Sequence, residues 1–201
     1  MTQTLVKQAC EPKSYPQLKG LDGISDVTLE EHFKLYQGYV ANLKTLMEKI
    51  SALIAEGKIS TPEYNELKRR LGFEGNGVVL HEYYFENMKP NGGACAPGSK
   101  LYNAICENFG SYEAWEADFK GTGMMRGIGW AALCQCPCTG MLMNIWTTDH
   151  EYGNIAGAKP ILVMDVWEHA YTLDFKPTGR KAYIEAFFKN INWEVAEGRL
   201  A

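Results

Sequence analysis

The sequence has no long hydrophobic run. Its longest apolar stretches fall well short of the roughly 20 residues that cross a bilayer. That excludes a helical membrane span from the reading and points to a soluble globular protein. No basic, apolar leader opens the chain, so the cytosol is the expected compartment. Excess charge of either sign is also lacking. Lysine and arginine number 20 against 24 aspartate and glutamate, for a net charge of −4. Nothing here suggests nucleic acid or an anionic membrane as partner. Repeats and low-complexity tracts are absent. Histidine is scarce, with only four: His32, His81, His150 and His169. Cysteine is not scarce, but in a cytosolic chain its six copies are expected as reduced thiols rather than disulfides.

What is present is a chain of 201 residues, 46% apolar, long enough to bury a substantial core. Residues 1–26 read as an extended arm carrying Pro12 and Pro16. Thr28 then resembles an N-cap, with Glu31 completing a capping box. From there to about Ala55, Leu29, His32, Tyr36, Tyr39, Leu43, Leu46, Ile50 and Leu53 recur at helical spacing on one stripe. Gly38 inside that stripe suggests the close approach of another helix. A short polar helix is expected from Thr61 to Leu71. A separate one is expected from Phe73 to Met88, with Gly75 and Gly77 weakening its start and Pro90-Asn91-Gly92-Gly93 as a breaker. Two more helices follow, Lys100–Phe109 and Ser111–Met125. Three strands come next: Trp130–Cys136, Met141–Thr148 and Ile161–Asp165. Helix returns at Lys181–Asn190. Helices, then antiparallel strands, then helices imply an α+β protein. The expected organisation is an N-terminal helical hairpin domain over residues 1–92, and a C-terminal domain over 93–201 whose three-stranded antiparallel sheet is flanked by helices.

The chemistry centres on Asp165-Val166-Trp167-Glu168-His169. Ile161–Met164 reads as a buried strand, so Asp165 lies at its end, with His169 one helical turn on. On this stretch alone, a capping Asp and a buried His explain the pattern as well as a metal site does. His32 and His81 lie on the apolar stripes of two different helices. Singly, each reads as a core histidine. Together with Asp165 and His169 they make a coherent three-histidine, one-aspartate set, of the kind that suits iron, manganese or zinc.

From about Pro12 to its end the chain resembles the iron/manganese superoxide dismutase family. The matching stretches are His81-Glu82-Tyr83-Tyr84-Phe85-Glu86-Asn87 running into Pro90-Asn91-Gly92-Gly93, then Asn108-Phe109-Gly110-Ser111, Gly127-Ile128-Gly129-Trp130 and Asn192-Trp193-Glu194. The most specific is Asp165-Val166-Trp167-Glu168-His169-Ala170-Tyr171. The resemblance implies one iron or manganese ion per subunit, held by His32, His81, Asp165 and His169 with bound water or hydroxide. One superoxide reduces that ion and leaves as dioxygen; a second oxidises it and, with two protons, leaves as hydrogen peroxide. Tyr39 matches the active-site tyrosine. His150 stands where many members use a glutamine to bond the metal's solvent, and Gly77 leaves room for it. Trp130, Trp167 and Phe85 match positions that wall the site. Glu168 and Tyr171 match residues that reach across a two-fold interface, which implies a homodimer or homotetramer. Two other readings stand beside this one: a metalloprotein of the same fold with a different oxidative activity, and a non-catalytic structural member.

The sequence also departs from that pattern. Members of the family have eight positions from the first histidine ligand to the tyrosine; here His32 to Tyr39 is seven, and counting back eight gives Glu31. Seven positions keep His32 and Tyr39 on one face, which favours His32 over Glu31 as ligand. Leu35 stands where a gateway histidine is common, and its hydrogen bond to Tyr39 should be lost. Thr172 replaces a second aromatic. Cys134, Cys136 and Cys138 lie on one strand face or around the Pro137 turn, without a fourth ligand nearby, and are expected to be reduced structural thiols.

Overall fold

The computed structural model describes residues 11–201. The first part of the expected arm lies outside them. The rest is not bare extended chain. It holds a 3-10 turn, Pro16–Leu18, and buries Tyr15, Leu18, Leu21 and Ile24 against the body of the protein. Helix α1 runs Asp26–Ala55 and α2 Pro62–Glu86, packed along each other. Two expectations are corrected here. The cap of α1 is Ser25, whose Oγ accepts from the Thr28 backbone N–H at 3.1 Å; Thr28 itself is a buried first-turn residue. Ser25 offers the same capping chemistry three positions earlier, with Asp26 favourably placed in the first turn. The two helices foreseen across 61–88 are one. Gly72, Gly75 and Gly77 lower helix propensity by about 1 kcal/mol each. Packing of Val78, Leu80, Tyr84 and Phe85 into the core outweighs that cost.

Helices α3, Lys100–Phe109, and α4, Tyr112–Gly123, follow, capped by Ser99 and Ser111. Strands β1 (Gly129–Gln135), β2 (Leu142–Thr148) and β3 (Lys159–Asp165) form an antiparallel sheet in the order β2-β1-β3. The central strand β1 is buried on both faces, and β3 is apolar through Met164. Trp130 pairs with Asp165 in the β1–β3 register. The β3 end therefore emerges beside a tryptophan, against α2. A 3-10 turn, Glu168–Ala170, stands where a helix was expected to begin. It leads into α5 (Thr172–Phe175), α6 (Arg180–Lys189) and α7 (Trp193–Gly198). Arg180 donates to the carbonyls of Met125 and Gly127, both at 2.6 Å, and of Val166 at 2.9 Å, tying the entry of β1 to the exit of β3. The α+β class with a three-stranded antiparallel sheet is as the sequence implies.

Candidate metal centre

Four elements deliver one side chain each to a common point. Helix α1 supplies His32, α2 supplies His81, the end of β3 supplies Asp165 and the following 3-10 turn supplies His169. Asp165 Oδ2 sits at the middle, with the Nε2 atoms of His32, His169 and His81 at 3.1, 3.2 and 3.8 Å. All four donor atoms lie within 4.8 Å of one another. Donors about 2.1 Å from a shared ion are roughly 3–4 Å apart, so the spacing fits a single metal. His32, His81 and Asp165 are fully enclosed, while His169 is 22% exposed.

The hydrogen bonds orient these donors. His81 Nδ1 approaches the Gly77 carbonyl at 2.5 Å. A carbonyl only accepts, so Nδ1 carries the proton and the Nε2 lone pair is left free. That Nε2 is buried and has no hydrogen-bond partner among the described residues. A buried acceptor without a partner is costly, and a metal ion is the partner its surroundings provide. Asp165 Oδ1 accepts from the Trp167 backbone N–H at 2.7 Å, leaving Oδ2 to face the histidines. The Asp165 carbonyl accepts from the Tyr183 hydroxyl at 2.7 Å. Burial works to raise the Asp165 pKa, but the charge of His169 and the hydrogen bonds of His169 and His32 outweigh it and hold the carboxyl well below the usual range. Burial lowers both His32 and His81, the latter to about 3. His32 and His81 are therefore neutral imidazoles beside an ionised carboxylate, which are the ligating forms.

Beside the cluster runs a directed chain of hydrogen bonds. Trp130 Nε1–H donates to His150 Nδ1 at 2.9 Å. Burial lowers the His150 pKa to about 4, so the ring is neutral and its one proton is on Nε2. That Nε2–H donates to Tyr39 Oη at 2.9 Å. The Tyr39 hydroxyl accepts there, and its own proton is free to point elsewhere. Burial pushes its pKa up to about 12. His150 was expected to donate directly to solvent on the metal. In the structure both ring nitrogens have protein partners, Nδ1 at Trp130 and Nε2 at Tyr39, and the ring lies 6.1 Å from that of His81. The space above Gly77 is likewise filled by Tyr39, whose Cδ1 would stand 2.6 Å from a Cβ at that position.

The walls are aromatic. Tyr39 and Trp130 pack on His81 at 5.2 and 5.0 Å, Phe85 on His32 at 5.1 Å, and Trp167 stacks on His150 at 5.0 Å. Glu31, the alternative ligand, is exposed and accepts from Lys34 Nζ at 2.6 Å. Leu35 is exposed, and the adjacent Tyr36 turns inward. Its hydroxyl donates to Glu82 at 2.9 Å and accepts from the Lys13 backbone N–H at 3.0 Å. Gly38 was expected at a close helix contact; a Cβ there would meet nothing within 4 Å among the described residues, and the close contact falls at Gly77 instead. Glu168 is exposed on its turn, whereas Tyr171 is buried and stacked on Tyr183 at 5.6 Å. Sequence reasoning missed Asn76, whose Nδ2 donates to the His150 carbonyl at 2.7 Å, and Phe73, 4.6 Å from the His150 ring. An asparagine before a helical glycine carries no signal of a partner 74 positions away.

Comparison with known proteins gives a consistent result. Residues 97–199 match the family described as iron/manganese superoxide dismutases, C-terminal domain. The chain is 38% identical over 194 residues to a protein of Aquifex pyrophilus named superoxide dismutase [Fe], covering 94% of this chain and 90% of that one. It is 36% identical over 200 residues to a superoxide dismutase [Fe] of Cupriavidus metallidurans, covering 96% and 93%. It is also 36% identical over 177 residues to a superoxide dismutase [Mn] of Haloarcula marismortui, covering 86% and 83%.

Proposed function

The chain belongs to the iron/manganese superoxide dismutase family, and we propose that it converts superoxide to dioxygen and hydrogen peroxide at the point where His32, His81, Asp165 and His169 meet. These four residues would hold one iron or manganese ion. When bound, that ion supplies the one-electron couple that accepts an electron from one superoxide and returns it to the next. The observation that carries the reading is the convergence of three imidazoles on the Asp165 carboxylate, with the His81 Nε2 lone pair held free by the Gly77 carbonyl.

The protein's own residues do the rest. Two superoxide ions and two protons give one dioxygen and one hydrogen peroxide, so protons must reach the reduced oxygen. Tyr39 is placed to hold one at its hydroxyl, because His150 occupies the acceptor side of that oxygen and leaves the proton outward. Trp130 fixes the His150 tautomer and thus the direction of the chain. Phe85, Trp130 and Trp167 exclude bulk water and strengthen the electrostatics inside. Arg70, on the same helix as His81, sits 3.7 Å over the Phe73 ring and is ion-paired with Glu74 at 2.8 Å.

We further propose a homodimer. Ser25 N–H donates to Asp174 at 2.9 Å, bringing the start of α1 alongside α5. Val27 (62%) and Leu173 (59%), beside the two ends of that bond, are exposed apolar side chains. A second copy there would cover them, and light scattering in solution tests it. The five described cysteines are unpaired, which suits a reducing compartment such as the cytosol.

The test of function is elemental analysis of the purified protein with a superoxide-consumption assay. The expected result is close to one iron or manganese per chain and rapid dismutation. His32→Ala should lose both metal and activity, while Glu31→Ala keeps them. Metal-free wild-type protein would leave the fold without a reaction. Bound metal without dismutation would point to a different oxidative substrate.

A further inference from the structure

The cysteines of the β1–β2 connection play no part in the site above. Cys134 is enclosed on β1, where burial pushes its thiol up to about 12 and makes it inert. Strand β1 ends at Gln135, and the chain then reverses tightly. Cys136 N–H donates to the Met141 carbonyl at 2.8 Å, and Gly140 N–H donates to the Cys136 carbonyl at 2.9 Å. Met141 N–H donates to Thr139 Oγ1 at 3.3 Å. Pro137, between the two remaining cysteines, fixes its own φ and keeps the turn narrow. Cys138 is exposed and Cys136 half-exposed. The Thr139 hydroxyl, the backbone N–H groups of Thr139 and Cys138, and the Cys138 thiol gather around the Cys136 sulfur and hold its pKa below the ordinary thiol value. The turn thus holds two thiols two positions apart across Pro137, Cys138 exposed and Cys136 half-exposed. It also lies at the opposite end of β1 from Trp130, roughly 20 Å away at 3.3 Å per residue.

We propose that Cys136 and Cys138 form a peroxide-responsive dithiol that closes reversibly into a disulfide within the turn. The oxidant is hydrogen peroxide, the product of the reaction assigned above; the proposal rests on that reading only for the source of the peroxide. The Cys136 thiolate attacks one oxygen of the peroxide. An S–O bond forms and the O–O bond breaks. The departing hydroxide takes a proton to become water, and Cys136 is left as sulfenic acid. The Cys138 sulfur then attacks the Cys136 sulfur. The S–S bond forms, the S–O bond breaks, and the hydroxide leaves as water with the Cys138 proton. Two thiols are oxidised by two electrons and one peroxide is reduced to two waters. External thiols reverse the step by exchange.

The experiment treats the purified full-length protein with added hydrogen peroxide, so that superoxide chemistry is not needed and its failure is read separately. Peptide mapping should show the 136–138 segment lighter by two hydrogen atoms, and its mass restored by dithiothreitol. Cys106 in the same sample should still be alkylated. Cys138→Ser should stop the reaction at a Cys136 sulfenic acid trapped by dimedone. Cys136→Ser should abolish fast oxidation, leaving Cys138 to react no faster than Cys106. Oxidation of the pair no faster than Cys106 would overturn the proposal. So would cross-linking between chains, direct passage of either cysteine to sulfinic acid, or failure of Cys138→Ser to accumulate the trapped adduct. Both serine variants alter open turn positions, and a melting curve matching the wild type confirms that the fold is intact.

Discussion

Replacing Gly77 by alanine isolates the packing on which the hydrogen-bond chain at Tyr39 depends. A Cβ at this position would lie 2.6, 2.9 and 3.0 Å from Cδ1, Cγ and Cε1 of the Tyr39 ring. Ordinary contact begins near 3.4 Å, so the ring must retreat by 0.8 Å at its nearest atom. These are atoms of a rigid ring, with no flexible tip to swing aside. Overpacking of this kind costs about 1–3 kcal/mol. Against it, alanine in a helix interior gains about 1 kcal/mol over glycine. Gly38→Ala in α1 supplies the control, because a Cβ there meets nothing within 4 Å among the described residues and only the helical gain remains. The propensity term cancels between the two variants. Gly77→Ala should therefore be less stable than Gly38→Ala by about 1–3 kcal/mol, read from urea midpoints at equal slope. The same retreat lengthens the 2.9 Å contact between Tyr39 and His150 by up to about 0.8 Å, beyond hydrogen-bonding range. Superoxide consumption should fall in Gly77→Ala while metal content is kept, and Gly38→Ala should match the wild type. Equal midpoints and equal activity in the two variants would show that Tyr39 does not occupy the space above Gly77.

Three other outcomes follow from the same structure. Trp130→Phe keeps an aromatic wall but removes the donor to His150 Nδ1; the direction of the chain is then no longer fixed. Turnover should drop by about tenfold (~1.4 kcal/mol) and its pH profile should shift at unchanged metal content, whereas a mere packing role would move stability alone. Asn87 is fully buried, donates to the Val163 carbonyl at 2.7 Å and accepts from Arg199. Asn87→Ala should cost about 3 kcal/mol by chemical denaturation, and a loss below about 1 kcal/mol would refute the role of this tie between α2 and β3. The metal-free protein should weaken as pH falls. His81 is held near 3 and His150 near 4, both below the ordinary 6.5 by burial. The unfolded chain therefore binds more protons between those values, and stability present above pH 6.5 is lost on acidification. For His81 the loss between pH 7 and 5 is about 2 kcal/mol, and a flat midpoint across that interval would contradict its burial as a neutral ring.

Much of this architecture is legible in the sequence because periodicity records burial. The stripe through Leu29, His32, Tyr36 and Ile50 marks the inner face of α1, and the apolar run Ile161–Met164 marks a strand enclosed on both sides. The metal-site candidates are visible for a chemical reason: histidine is rare here, His32 and His81 sit on faces that otherwise exclude polar groups, and His169 follows Asp165 at the end of an apolar strand. What the sequence did not reveal is decided by contacts between distant elements. Continuity of α2 through Gly72, Gly75 and Gly77 opposes local propensity, and only the length of α1 alongside it settles the matter. The cap at Ser25 instead of Thr28 turned on two equivalent hydroxyls three positions apart. The direction of the bond from His150 to Tyr39 is set by the indole of Trp130, a partner 20 positions away on another strand, and no local pattern encodes it.

The seven-residue spacing from His32 to Tyr39 gains its meaning from the regularity of α1. Each residue turns a helix by about 100°, so seven positions bring a side chain back to within about 20° of its start, while eight leave it about 80° away. Helix α1 is α-helical from Asp26 to Ala55. His32 and Tyr39 both reach the His81 ring, at 5.0 and 5.2 Å between centroids. In a regular helix, Val40 rather than Tyr39 would stand eight positions on, and Val40 is a buried core residue. A chain that keeps eight positions between ligand and tyrosine must widen one turn to aim both at the same ion. Here α1 is regular through both residues, with Leu35 on the exposed side and Tyr36 turned toward Glu82. With Leu35 pointing away, the hydrogen bond that Tyr39 accepts comes instead from His150, beyond the end of β2.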